Sequence, residues 1–247
     1  MQQTSQSRAH KTQPTLKVEN LSYIFPDGKR ILTDVNFEVL RGQKVAIIGG
    51  NGCGKSTLLM LINGLLIPTT GKISVNGVEV NRANSEQIRS MVGLVFQNAD
   101  DQLFSKSVFD AVAFGLIIAG KGTEDIRERV TAALETVHLT GSERRNPFKL
   151  SGGEKKKIAL ASAIATRPEL LLLDDPTVGL DAGIREELLQ LFSDMKATLL
   201  IASQDLEMVG QLTERTLVMA GGYIIAEGTT HEIINNQVLL FEQGLLG

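Results

Sequence analysis

Residues Gly49 to Thr57, Gly49-Gly50-Asn51-Gly52-Cys53-Gly54-Lys55-Ser56-Thr57, decide the fold. Gly49, Gly54, Lys55 and Ser56 satisfy the spacing G-x-x-x-x-G-K-[ST]. The apolar run Val45 to Ile48 before it reads as a strand, and Ser56 to Leu66 after it reads as a helix. That is the context in which this spacing cradles phosphate. Glycines let the backbone turn its N–H groups inward, and a helix N-terminus adds the positive end of its dipole. Lys55 supplies charge for the β and γ phosphates of ATP, and the Ser56 hydroxyl is a ligand for the Mg²⁺ that bridges them. A turn that merely joined a strand to a helix would need no Lys-Ser pair after its last glycine. The whole stretch, Gly50, Asn51, Gly52, Cys53 and Thr57 included, is expected to line the ATP site. Cys53 reads as a small residue filling the loop, with a modifiable thiol at a helix N-terminus as the lesser alternative.

A second stretch, Leu170 to Asp175 (LLLLDD), is an apolar strand ending in two carboxylates. Such a strand suits the middle of a parallel sheet, whose carboxyl ends are where nucleotide sites form. Asp174 is expected to hold Mg²⁺ there. Short β-prone runs at Leu16 to Val18, Phe37 to Val39 and Ile73 to Val75, with turns at Asp27-Gly28 and Asn76-Gly77, give a strand-rich N-terminal region. From Ser107 the pattern becomes helical over Val108 to Gly120 and Thr123 to Val137, the latter with a capped, acid-rich first turn. Further strand runs at Glu169 to Leu173, Thr198 to Ala202 and Thr216 to Met219 alternate with helices, the mark of a doubly wound α/β core. The organisation expected is a flexible tail over Met1 to Thr15, then one domain over residues 16 to 247. Within it, a helical insertion spans about residues 98 to 160, and a short helical ending follows Ala226.

Composition narrows the function classes. With 247 residues, 43% hydrophobic and 21% charged, the chain can build a sizeable core. No apolar run approaches the ~18 residues that cross a bilayer. The polar start lacks the apolar stretch of a secretory leader, and the lone Cys53 cannot form an internal disulfide. A cytoplasmic location is therefore expected. A net charge of −3 argues against a nucleic-acid partner, which demands a basic face. The one basic run, Lys155 to Lys157, reads as a solvated helix face.

Between the two phosphate-site stretches lies Leu150 to Glu154, LSGGE, and here the sequence resembles the ATP-binding subunits of ABC transporters. The resemblance runs from Leu16 onward: GGNGCGKST, Gln97 in VFQN, LSGGEKKK, LLLLDDPTVGLD, then Ile201 to Asp205 at the family's switch. It implies a P-loop NTPase of the ABC ATPase class, with an N-terminal antiparallel β region, a parallel-sheet core and an inserted helical subdomain. It implies a head-to-tail dimer in which Ser151, Gly152, Gly153 and Glu154 of one chain face the ATP of the other. The start of a helix suits that role, because it offers hydroxyl, N–H groups and dipole to a γ-phosphate. Gln97 would touch Mg²⁺ and the attacking water. The aromatic that stacks on adenine aligns with Phe25, or else with Tyr23. NADDQLF at 98 to 104 and VFDAVAFG at 108 to 115 are similar to the ATPases of energy-coupling-factor and cobalt/nickel importers, where this segment docks an integral membrane subunit. The place implied is peripheral, on the inner face of the cell membrane.

Two positions depart from that pattern, and both concern hydrolysis. The residue after Asp174 is usually glutamate, the general base, but here it is Asp175. One methylene less shortens its reach, and a misplacement of about 1 Å at a reacting centre can cost ~10²-fold. The switch histidine is replaced by Gln204, which hydrogen-bonds phosphate but cannot become a cation. Lys55, Gln97, Asp175 and Gln204 are thus the expected catalytic set of a weakened site. An asymmetric heterodimer follows, with a homodimer of two slow sites as the alternative. A regulatory subunit that binds ATP without hydrolysing it, or a soluble ABC ATPase outside transport, are the competing functions.

Overall fold

The computed structural model describes residues 13–246. Four strands, β1 (Pro14–Ile24), β2 (Arg30–Leu40), β4 (Thr70–Val75) and β5 (Val78–Glu79), form an antiparallel sheet in the order β2-β1-β4-β5. The second sheet orders β10 (Tyr223–Thr229), β9 (Arg215–Ala220), β3 (Lys44–Ile48), β8 (Thr198–Ser203), β7 (Leu170–Asp174) and β6 (Val92–Val95). All its pairings are parallel except β10 on β9. The helices are α1 (Lys55–Ile62), α2 (Ser85–Met91), α3 (Val108–Ile118), α4 (Thr123–Thr136), α5 (Gly152–Ala165), α6 (Ala182–Asp194), α7 (Leu206–Leu212), α8 (Thr230–Asn235) and α9 (Gln237–Glu242).

The parallel sheet is apolar on both faces, and its strands feed two cores in alternation. Leu170 and Leu172 of β7 enter the core beneath the antiparallel sheet and α1, whereas Leu171 and Leu173 enter the core under α3 to α7. Val45 and Ile47 of β3 divide from Ala46 and Ile48 in the same way. Continuous Val/Ile/Leu runs in place of polar alternation are what two covered faces demand. Each such side chain removed from water contributes about 1.5–3 kcal/mol.

Several expected boundaries move. Pro14 and Thr15 belong to β1, Thr15 being buried, so the tail expected to end at Thr15 yields two residues to the sheet; residues 1–12 lie outside the described part. Helix α1 stops at Ile62 short of Leu66, since Gly64 takes φ 76°. The cap expected at Thr123 is Gly122, which has no side chain to offer, although Glu124 and Asp125 do occupy the first turn. The chain beyond Ala226 first completes β10 and only then becomes helical. Asn76 and Gly77, with φ 47° and 80°, form the left-handed pair that a tight hairpin between β4 and β5 requires.

Candidate functional site

The strand order β3-β8-β7-β6 sets four expected site segments side by side at the carboxyl ends of adjacent strands. The phosphate loop follows β3, Gln204 follows β8, Asp174 ends β7 with Asp175 next, and Gln97 lies two residues past β6. Residues about 150 apart in sequence become neighbours through this topology alone.

At the loop, Gly49 and Gly54 are required by space. A Cβ on Gly49 would lie 2.2 Å from the Met219 carbonyl oxygen, and one on Gly54, whose φ is 111°, would lie 2.7 Å from a Leu32 methyl. Helix α1 starts on Gly54 with no side-chain cap and no acidic residue in its first turn. By contrast α3, α5, α6, α7, α8 and α9 are each capped by a serine, threonine, aspartate or asparagine side chain. Helices α2 and α4 also lack a side-chain cap but carry acidic residues in their first turns, so among the described residues α1, with neither, is the helix whose first turn suits an anion. Lys55 is buried, and its ammonium donates to the loop's own carbonyls at Gly49 (2.7 Å) and Gly50 (3.2 Å). Cys53 is a buried, small filler whose Sγ lies 3.9 Å from that ammonium.

Asp174 is buried, and its Oδ1 has no hydrogen-bond partner. Burial pushes its carboxyl above the usual range against the pull of the Ser56 hydroxyl; Asp175 adds to the rise, and Lys55 and Lys156 oppose it. A buried orphan carboxylate oxygen beside a serine hydroxyl is a donor set for a hard divalent cation. Among the described residues no group of three or more His, Cys, Asp or Glu gathers to make an all-protein metal cage.

Asp175 is held in an unusual backbone state, φ 41°, and is buried. Its N–H donates to the Ala202 carbonyl of β8 at 2.8 Å, and its Oδ1 accepts the Gln204 N–H at 3.3 Å. Gln204 in turn donates its side-chain amide to Asn51 Oδ1 in the phosphate loop. One residue thus touches the loop with its side chain and the second carboxylate with its backbone.

Lys156 is a residue beside the site whose placement the sequence reading missed. The run Lys155 to Lys157 was expected on a solvated face, but Lys156 and Lys157 are 4% and 8% exposed. Lys155 pairs with Asp100 and Lys157 with Glu187. The Lys156 ammonium donates to the backbone carbonyls of Phe96 (3.2 Å) and Gln97. Burial draws its pKa from 10.5 down to about 8, while the charges of Asp174 and Asp175 hold it up. The carbonyls of the Gln97 loop, which no sequence pattern displays, are what turn this lysine inward. The side chain of Gln97 itself is exposed.

Ser151 caps α5 in a reciprocal box. Its Oγ accepts the Glu154 N–H at 3.3 Å, and Glu154 Oε2 accepts the Ser151 N–H at 3.0 Å. Gly152 is open to solvent, whereas Gly153 packs so closely on α6 that a Cβ would lie 2.1 Å from an Ile184 methyl. Phe25 sits half-buried just past β1, edge-on to Tyr23 with ring centroids 5.1 Å apart. Tyr23 is buried, which leaves Phe25 the more accessible of the two.

Comparison with known proteins shows the family and the fold. The family model described as ABC transporter matches residues 32–178. An energy-coupling factor transporter ATP-binding protein, EcfA, of Methanothermobacter thermautotrophicus is 42% identical over 230 residues, covering 91% of this chain and 74% of its own. A putative ABC transporter ATP-binding protein of Geobacter sulfurreducens is 42% identical over 225 residues, covering 91% and 90%. Among solved structures, cbiO1 of Clostridium perfringens, part of the ABC transporter complex cbiONQ, superposes with a TM-score of 0.81 at 34% identity, covering 94% of this chain and 95% of its own. A dimeric ATP-binding cassette in a post-hydrolysis state with ADP and Pi gives a TM-score of 0.80 at 26% identity, covering 87% of this chain and 98% of that one. On the family match and these identities, the chain belongs to the ABC transporter ATP-binding family and is an ABC-type ATPase.

Proposed function

We propose that this chain is the ATP-hydrolysing subunit of an importer of the energy-coupling-factor or cobalt type, moving a small molecule of the vitamin or metal-ion class through a membrane partner. The observation that carries the reading is the row of phosphate loop, Gln204, Asp174–Asp175 and Gln97 loop at adjacent strand ends. EcfA and cbiO1 support the transporter class. Lys55 leaves its loop carbonyls for the β and γ phosphates, and the α1 N-terminus receives the same oxygens. Bound Mg²⁺ would neutralise phosphate charge, with Ser56 and Asp174 as ligands and Gln97 at its edge. Phe25 stacks on the adenine. A second such subunit, identical or not, presents its Ser151–Glu154 stretch to this chain's ATP and receives this chain's in return. No helix among the described residues is long and apolar enough to cross a membrane, in keeping with a peripheral place on the cytoplasmic side of an integral partner.

The same reading gives this chain a slow site of its own. Asp175 is short for a general base, and its Oδ1 is engaged by the Gln204 N–H. That engagement also favours the second reading, an ATP-binding subunit that regulates without turnover. Asp175→Glu combined with Gln204→His separates them in steady-state ATPase assays of the purified complex. We expect a rise of ~10-fold or more, within the ~10² that about 1 Å of placement commands. No rise, together with a wild-type rate at the usual level for a transport ATPase, would sink the slow-site reading.

A further inference from the structure

The residue at the end of LSGGE is a carboxylate, and it stands where the proposed partner's triphosphate would arrive. An uncompensated negative charge there opposes phosphate binding, since like charges repel most strongly where water is excluded. The chain compensates it. Arg145 Nη1 donates to Glu154 Oε1 at 2.7 Å, while Oε2 is taken by Ser151, whose N–H and hydroxyl donate to it at 3.0 and 3.1 Å. The Ser151 N–H chiefly, and then Arg145, hold the Glu154 carboxyl below its usual range, so the group is charged.

Two consequences follow from this geometry. First, the donors that would greet a γ-phosphate, the hydroxyl and N–H of Ser151, are occupied by the chain's own carboxylate. Phosphate must displace Oε2, and Arg145 keeps hold of Oε1 when it does. Second, Arg145 is placed from behind: its carbonyl accepts the Val108 N–H at 3.0 Å, and its N–H donates to Ser142 at 2.9 Å, so the turn 142–145 is fixed against the start of α3. The side chain therefore reaches Glu154 from a braced backbone, although the pair is half exposed and adds little to fold stability.

We infer that Arg145 is a positioning residue for ATP hydrolysis in the partner's site, neutralising Glu154 and drawing it off Ser151 when the phosphate arrives. The inference rests on the reading that Ser151–Glu154 serves the partner's ATP in a head-to-tail dimer.

The test uses the full chain, tagged and purified from membranes with the subunits it carries, assayed for ATP hydrolysis. Arg145→Ala should raise KM for ATP about tenfold with a smaller fall in kcat, and Arg145→Lys, which keeps the charge, should stay within about threefold of the parent. In a Glu154→Gln background the same Arg145→Ala change should cost less than twofold, because no charge remains to neutralise. A purely structural Arg145 would cost the same in both backgrounds, and that result overturns the inference. So does Arg145→Ala with parental KM while Ser151→Ala impairs the complex. If Ser151→Ala leaves hydrolysis untouched, the failure lies one step earlier, in the head-to-tail reading.

Discussion

Asp205 shows how single residues brace the switch beside the phosphate site. It caps α7 by accepting the Met208 N–H at 2.9 Å, binds Arg185 through both oxygens and takes the Thr177 hydroxyl. Burial alone would push its carboxyl up, but the Met208 N–H and Arg185 outweigh it, and the net shift is down from 3.8. A carboxyl lowered by folding adds stability that is complete above the unfolded value and disappears as pH falls through the folded one. Asp205→Ala should therefore lower Tm near neutrality by a few degrees, the cap being worth ~1 kcal/mol and the part-exposed pair ~1 or less. The deficit should shrink below about pH 4, where the parent loses the same contribution; thermal melts from pH 7 to 3 check it, and a constant deficit would contradict it. The ASQD stretch was legible as the switch through the resemblance, but the Asp205 cap on α7 within it was not read. Its arginine, 20 residues earlier, was missed too, as were the inward turn of Lys156 and the Arg145–Glu154 pair. Each depends on where a distant backbone places a carbonyl or a carboxylate, and a one-dimensional pattern cannot hold that.

At the scale of elements, strands buried on both faces and the phosphate loop declared themselves, because their residue types leave few other solutions. LLLLDD could hardly lie elsewhere than mid-sheet, and β7 sits there between β8 and β6. Element ends were less legible: β10 alternates half-buried and exposed positions at the sheet edge and so lacks the apolar run that marked its neighbours. Helix α5 carries a constraint of its own. Gly153 lets its first turn press on α6, and an added methyl would meet three Ile184 atoms within 3.3 Å. Gly153→Ala should cost about 1–3 kcal/mol through overpacking and tilt Ser151 away from its place. Ile184→Val removes the atom 2.1 Å away, so it should recover part of the lost Tm in the double variant. Additive losses in denaturant melts would show that the two helices do not meet at this point.

At the scale of the whole molecule, the question is how a site at the strand ends could move something outside the chain. The Gln97 loop leaves β6, is gripped by Lys156 from α5, and runs into the 3₁₀ turn Ala99–Asp101 and then α3. Beside α3 opens a groove of about 890 Å³, walled on one side by Glu86, Gln87 and Arg89 of α2 and on the other by Phe114 and Ile118. Phe114 stacks edge-on against Phe104 at 4.7 Å, and these rings are 42% and 61% exposed, with Ile117 and Ile118 exposed beside them. Under the proposed function, this charge-rimmed apolar patch is where the membrane subunit would sit, since large exposed apolar patches are typical of interaction surfaces. It also adjoins the loop that would sense ATP, so a membrane subunit seated there would feel the site through α3 and α5. Phe114→Asp tests this at little cost to the fold, because the ring is not in the core and its pairing with Phe104 is worth ~1 kcal/mol. We expect the tagged variant to bind a fluorescent ATP analogue with parental affinity yet leave the membrane fraction, with co-purified integral subunits falling at least fivefold. Parental recovery of those subunits would remove the groove from docking and leave the coupling route without its outer end.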